Sequence, residues 1–228
     1  DLETLLAWGR AQRPGRVLDV ATGGGHTALA FAGVARAVVA CDLTEPMLSA
    51  ARRFIVGRGA AGVRYAVGDA AALPFADGAF DLVTCRIAAH HFAEPAAAVR
   101  EVRRVLRAGG TLLLQDILGH DDVEANAFIR EVERRRDPSH VKAYRLAEWR
   151  AFLRAAGLTL MEHTVLSRTR AWGEWTARMK MSPRDRSDLE RFVREAPERV
   201  RAAFDFRLDA AVVEAFTDRM VLLRAEKD

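Results

Sequence analysis

Val17-Leu18-Asp19-Val20-Ala21-Thr22-Gly23-Gly24-Gly25-His26 is the stretch that decides the fold. Its apolar start, 17–21, reads as a short strand buried on both faces. Three successive glycines then make a turn, where positive φ is cheap and a ligand can lie against bare backbone. A helical pattern over 27–35 follows. Its first turn offers unpaired N–H groups and a partial positive charge, which favour an anionic ligand group by about 0.3–1 kcal/mol, or about 2 when partly buried. Asp42 closes the next strand, 19 positions after Gly23. A carboxylate at that place can accept both hydroxyls of a ribose. Singly, the glycines are a tight turn and Asp42 a solvated strand end. Together, in one βαβ unit, they indicate a nucleoside site.

Working outward, short Val/Leu/Ile-rich runs recur at 37–42, 63–67, 80–85 and 111–117. Helical patterns lie between them. One begins at Thr44 with Pro46 in its first turn and stops at Gly57 and Gly59. Another covers Glu94 to Arg107 and is ended by Gly109-Gly110. Alternating strands and helices predict an α/β, doubly wound, Rossmann-like sheet with right-handed crossovers. The second half predicts helices at 120–136 and 146–156, a strand at 158–166, a helical stretch at 172–206 broken by Pro183 and Pro197, and a last strand at 219–225. The expectation is a mostly parallel seven-stranded sheet with an antiparallel last strand and a helical cap insertion. Residues 1–228 are read as a single domain. Its core is about 14–120, 146–170 and 217–226, and its insertions are about 120–145 and 171–212.

Composition narrows the function. The chain has 228 residues, 50% hydrophobic and 29% charged, enough for a packed core and too apolar for wholesale disorder. No run approaches the ~20 apolar residues of a membrane span, so integral membrane association is not expected. The 35 basic and 31 acidic residues leave a net charge of +4, too weak to point to nucleic acid. The Arg130 to Arg136 run alternates with Glu131 and Glu133, as on a salt-bridged helix face. Cys41 and Cys85 read as buried free thiols. His90-His91 lacks the companions a metal site needs. No signal peptide is visible, so a cytoplasmic location is expected. The chain starts at Asp1 rather than Met, which leaves room for preceding residues.

Two cofactor classes fit the turn. Gly23-x-Gly25-x-x-Ala28 also satisfies a dinucleotide fingerprint, which keeps an NAD(P)-dependent oxidoreductase as a rival. The other motifs lean elsewhere: Asp19 before the turn, Gly68-Asp69-Ala70 followed by Leu73-Pro74-Phe75, Phe80-Asp81-Leu82-Val83, and Leu106-Arg107-Ala108-Gly109-Gly110-Thr111. This ordered set resembles the class I S-adenosylmethionine-dependent methyltransferases over about residues 16–118. Within them it is most similar to the methyltransferase type 11 branch, which contains the ubiquinone/menaquinone-biosynthesis C-methyltransferases. The segment 136–141 and the helix at Trp149 resemble a subset of that branch. The resemblance implies that S-adenosyl-L-methionine is the cofactor and S-adenosyl-L-homocysteine the product. It implies that Asp19, Ala21, Thr22, Gly23, Gly25 and His26 form the cofactor loop, Ala21 standing where the family has its first glycine. It places Asp42 on the ribose hydroxyls, Leu43 and Met47 beside the adenine, Gly68, Asp69 and Ala70 at the adenine amino group, and Arg86 near the methionine part. Some relatives reach the methionine carboxylate from an N-terminal segment.

The implied function is methyl transfer to a small-molecule acceptor by in-line displacement. Alignment alone can supply about 7–11 kcal/mol of such a barrier, and a general base about a factor of 10²–10⁴. His90, His91 and Asp116 are the candidate catalytic residues, with Gln115 beside Asp116 on the same strand end. Each has a plainer reading, as a packing or capping group. Trp172 and Trp175, with Met179 and Met181, read either as the insertion's own core or as a lid over an aromatic or lipophilic acceptor. Arg136, His140 and Tyr144 are candidates for the substrate side. Ala21 and the lack of an unambiguous base keep a third reading open, a non-catalytic nucleoside-binding protein. The sequence assigns neither the acceptor's reacting atom nor an oligomeric state.

Overall fold

A computed structural model describes residues 1–209 and 212–228, so positions 210 and 211 of the expected insertion lie outside the described residues. The chain runs α1 (Leu2–Gln12), β1 (Arg16–Val20), α2 (His26–Ala32), β2 (Ala37–Asp42), α3 (Glu45–Gly57), β3 (Val63–Val67) and β4 (Phe80–Arg86). A single 3-10 turn follows (Ala89–His91), then α4 (Pro95–Val105), β5 (Leu106–Ile117), α5 (Val123–Arg136), α6 (Leu146–Ala156) and β6 (Leu158–Ala171). The last elements are α7 (Trp172–Ala177), α8 (Pro183–Glu195), α9 (Glu198–Ala202), β7 (Arg207–Leu208) and β8 (Val213–Lys227).

The sheet order is β3-β2-β1-β4-β5-β8-β6, with the two-residue β7 paired only to β8. Strands β3, β2, β1, β4 and β5 are parallel neighbours. The C-terminal strands are antiparallel. Order reverses between β1 and β4, and the turns after β1 and β4 both leave from that switch point, where open α/β sheets bind ligands. The inner parallel strands are covered on both faces, Leu18, Leu82, Leu113 and Ala40 having no exposed surface, while the edge strand β3 is half-buried.

By their contacts the described residues form two compact units. One comprises 1–116, 147–164 and 221–228, and the other 117–146 and 165–220. The first contains the parallel strands and their helices. Phe31, Leu48, Ile55 and Trp149 fill its core. Gly9 of α1 has no room for a side chain, because a Cβ there would run into the Phe31 ring. The second unit is built on α5, α7, α8 and α9. Phe128, Trp172, Trp175, Leu189, Val193, Phe204 and Phe216 form its core. Trp172 and Trp175 are 0% and 4% exposed, so they are that unit's own core rather than a lid. Arg135 and Glu131 pair across one helical turn at 2.8 Å, as the alternating charges of α5 require.

Several boundaries differ from the sequence expectation. Helix α4 ends at Val105 rather than Arg107, because Leu106 is already extended and pairs with Phe80 of β4. Gly109 and Gly110 therefore lie inside β5 and do not stop the helix. A Cβ on Gly110 would meet Arg107 O at 2.8 Å and Asp81 O at 3.2 Å. Helix α2 stops at Ala32, helix α5 starts at Val123, and strands β6 and β8 are longer than their apolar stretches. Edge and exposed positions such as Glu162 and Glu214 carry no alternation that would mark them as strand. Among the described residues no helix is long and apolar enough to cross a membrane.

Candidate functional site

The turn after β1 is held from within. Asp19, 1% exposed, accepts from Thr22 Oγ1 at 2.6 Å, from Thr84 Oγ1 of β4 at 2.7 Å and from the Ala28 N–H of α2 at 3.1 Å. Burial raises its pKa from an ordinary 3.8 to about 6, against the pull of those donors and of Arg86. Asp19 is thus the internal strut of the loop. Its carboxylate is spent on the strand, the turn and the first turn of α2, rather than on a ligand surface.

The turn itself needs its small residues for different reasons. Ala21 sits at φ 53 and Gly23 at φ 53, both left-handed. Gly25, at φ 83, has no space for a side chain: a Cβ would lie 2.9 Å from Ile55 Cδ1 and 3.1 Å from Ala51 Cβ. Gly23 faces open space, where a Cβ would touch only Met47 Cε at 3.9 Å. Gly25 therefore seats the turn on α3, while Gly23 leaves its outer face bare. His26, exposed at the start of α2, lies against Phe54 with ring centroids 4.4 Å apart.

Asp42 is joined directly to this turn. Its Oδ2 accepts the Gly23 N–H at 2.9 Å, and its Oδ1 accepts the Thr44 N–H at 3.4 Å. Leu43 and Met47 follow it, 64% and 41% exposed, with Val67 at the end of β3 51% exposed. The next turn is fixed to the same place, since the Gly68 N–H donates to Asp42 O at 2.9 Å. Gly68 is packed too tightly for a Cβ, which would come 2.6 Å from Pro74 Cδ. Asp69 is exposed, its Oδ1 accepting the Ala71 N–H at 2.8 Å, and Ala70 is half-buried. The structure thus brings Gly23, Asp42, Leu43, Met47, Gly68 and Asp69 to one edge: an acceptor-bearing rim flanked by exposed apolar side chains.

The other predicted group gathers at the ends of β4 and β5. His90 is buried, and Asp116 clamps it twice: Oδ2 accepts the His90 N–H at 2.8 Å, and Oδ1 is 2.6 Å from Nδ1. A carboxylate oxygen at that distance places a proton on Nδ1. His91 is exposed, its ring 4.1 Å from that of His90. Ile87, a β-branched residue at φ 53, starts this turn and donates its N–H to Gln115 O at 2.7 Å. Strain of this kind collects where structure must aim a side chain. Arg86 is half-buried. Its Nε donates to Thr27 Oγ1 at 3.2 Å, and Nη1 stands 3.7 Å from Asp1 Oδ1.

Sequence reasoning missed Thr84 and Thr27. A threonine inside the apolar run Phe80–Arg86 was the available signal. Cys41 and Cys85 are buried free thiols. Burial, aided by nearby carboxylates, pushes Cys41 up to about 12 and Cys85 upward as well. Of the substrate-side candidates, Arg136 lies over the Trp175 ring at 4.4 Å and donates to Trp175 O at 3.1 Å, while His140 and Tyr144 are buried.

Residues 18–114 match the methyltransferase domain family. YcgJ of Bacillus subtilis, named an uncharacterised methyltransferase, is 40% identical over 162 residues, which is 71% of this chain and 64% of that protein. A crystal structure of a Bacillus halodurans protein, described as a methyltransferase, covers 100% of this chain and 98% of its own, with 40% identity and a TM-score of 0.95. The chain belongs to the methyltransferase family. A demethylmenaquinone methyltransferase of Thermus thermophilus is 46% identical over 103 residues, 44% of this chain and 46% of that methyltransferase. The chain thus spans under two thirds of YcgJ and about half of the quinone methyltransferase. Class I methyltransferases, as a family, use S-adenosylmethionine.

Proposed function

We propose that the chain transfers a methyl group from S-adenosylmethionine to a small-molecule acceptor. The observation that carries this is the bond between the Asp42 carboxylate and the Gly23 N–H, which fixes an acidic strand end against a glycine with a bare outer face. The residues fit a nucleoside. Asp42 is placed for the ribose hydroxyls, Leu43 and Met47 give apolar faces for adenine, and Asp69 is a hydrogen-bond acceptor at the same rim. Ala21, Thr22, Gly25, His26, Gly68 and Ala70 shape the surrounding backbone, and Asp19 holds it from beneath. When bound, the sulfonium supplies a methyl group that is already an activated electrophile.

The chain's own task is then alignment and proton handling. His90 accepts a proton at Nε2 from the acceptor, and Asp116 holds the imidazole in that tautomer and stabilises its charged form. His91, exposed beside it, lines the same end. The quinone-methylating relatives match under half of this chain, so they support methyl transfer more than any particular acceptor.

Calorimetric titration with S-adenosylhomocysteine tests the reading. Saturable binding that Asp42→Ala weakens by about 1.5–3 kcal/mol is expected. Binding of NADH or NADPH instead would overturn it in favour of an oxidoreductase. For the chemistry, His90→Gln lowers the rate of S-adenosylhomocysteine formation in a cell extract at least 100-fold while leaving its affinity in place. An unchanged rate would remove His90 from the mechanism.

A further inference from the structure

Arg86 and Gln115 are ladder partners at the ends of β4 and β5, and a carboxylate already rests on them. Asp1 Oδ2 accepts from Gln115 Nε2 at 2.9 Å, and Asp1 Oδ1 faces Arg86 Nη1 at 3.7 Å. Gln115 has no exposed surface, and its Oε1 is buried without a protein donor. Arg86 is aimed by Thr27, and burial draws its pKa below the usual arginine value against the opposing pull of nearby Asp19. A guanidinium beside an amide N–H is a receptor for a carboxylate. The neighbouring orphaned carbonyl oxygen wants a donor. An α-amino acid end group satisfies both at once.

We propose that Asp1 is an internal competitor at a subsite, formed by Arg86 and Gln115, for the amino-acid end of the cofactor. This rests on the cofactor reading above and adds a regulatory step to it. The Asp1 carboxylate and the amino-acid carboxylate exclude each other on Arg86 and the Gln115 amide N–H, and the α-ammonium donates to Gln115 Oε1. Asp1 is also the N-cap of α1. Seating the amino-acid end therefore releases that contact at the start of α1, while the nucleoside end binds independently of it.

Two probes separate the ends: S-adenosylhomocysteine, and 5′-methylthioadenosine, which has the same nucleoside thioether and no amino acid. Calorimetry on the full chain compares wild type, Asp1→Asn and Arg86→Gln. Asparagine caps a helix as well as aspartate, so α1 is kept. Asp1→Asn is expected to bind S-adenosylhomocysteine three- to tenfold more tightly and 5′-methylthioadenosine within twofold of wild type. Arg86→Gln should weaken S-adenosylhomocysteine at least tenfold and leave 5′-methylthioadenosine within twofold. Unchanged or weaker S-adenosylhomocysteine binding by Asp1→Asn would overturn the competition, the weaker case assigning Asp1 to the ammonium. Equal losses for both probes in Arg86→Gln would overturn the subsite. Failure of wild type to bind either probe would instead sink the cofactor reading beneath it.

Discussion

Replacing Asp19 with asparagine separates the strut's shape from its charge. The wild-type carboxyl has a folded pKa near 6 against an ordinary 3.8, because burial penalises the ion more than its donors favour it. That difference corresponds to roughly 3 kcal/mol. The group's contribution is fully present below about pH 4 and is lost as pH rises through 6, since the folded state binds the proton more tightly than the unfolded chain. Between pH 4.5 and 7.5 the loss is about 2 kcal/mol. The amide can keep its oxygen toward Thr22 and Ala28 and turn its NH₂ toward Thr84, whose hydroxyl already lies 3.4 Å from Leu18 O and can donate there. Urea denaturation of both proteins at the two pH values gives a difference in which other titrating groups cancel. Relative to wild type, Asp19→Asn should gain about 2 kcal/mol on going from pH 4.5 to 7.5. A stability difference that does not move with pH, or one that moves the other way, would refute the assignment of the raised pKa to this carboxyl.

Other substitutions test the turn and the second unit. Ala21→Gly relieves a left-handed alanine, worth about 1–2 kcal/mol, and adds about 0.5–1 of unfolded-state entropy, so thermal denaturation should show a small net gain. A loss above 0.5 kcal/mol would contradict the strained geometry. Gly25→Ala puts a methyl into Ile55 and Ala51 at a positive φ and should cost about 2–4 kcal/mol by the same measurement. Trp172→Ala removes a fully buried indole whose Nε1 donates to Glu190 at 2.9 Å, and a loss of about 3–5 kcal/mol in denaturant unfolding is expected. A loss below 1 kcal/mol would show the tryptophan to be solvated.

The parallel strands were legible because each is a short apolar run bounded by glycine or a helix cap, and burial on both faces writes itself into composition. Thr44 with Pro46 announced α3 for the same local reason. What failed was decided by partners distant in sequence. Leu106 is pulled out of α4 by Phe80, 26 residues earlier, and no helix-stop signal marks it. At the site, the positions of Gly23 and Asp42 could be read, but not the bond between them. The tie between His90 and Asp116 spans 26 residues and depends on how two strand ends meet. Asp19 could be read as part of the cofactor loop, but not the bond from Thr84, on another strand, that holds its carboxylate inward. Trp172 and Trp175 left a lid possible beside the plainer core reading, because aromatic content does not say which side of a helix finds company.

The two shut-away thiols give the sheet its own stopwatch. Cys41 is the next-to-last residue of β2 and Cys85 that of β4, the strands on either side of β1. Thiolate is the reactive form, and closed strands supply almost none of it, so maleimide incorporation at each sulfur times how often its strand parts from its neighbours. Comparing the two rates by mass spectrometry tells whether the glycine turn breathes from one side or both.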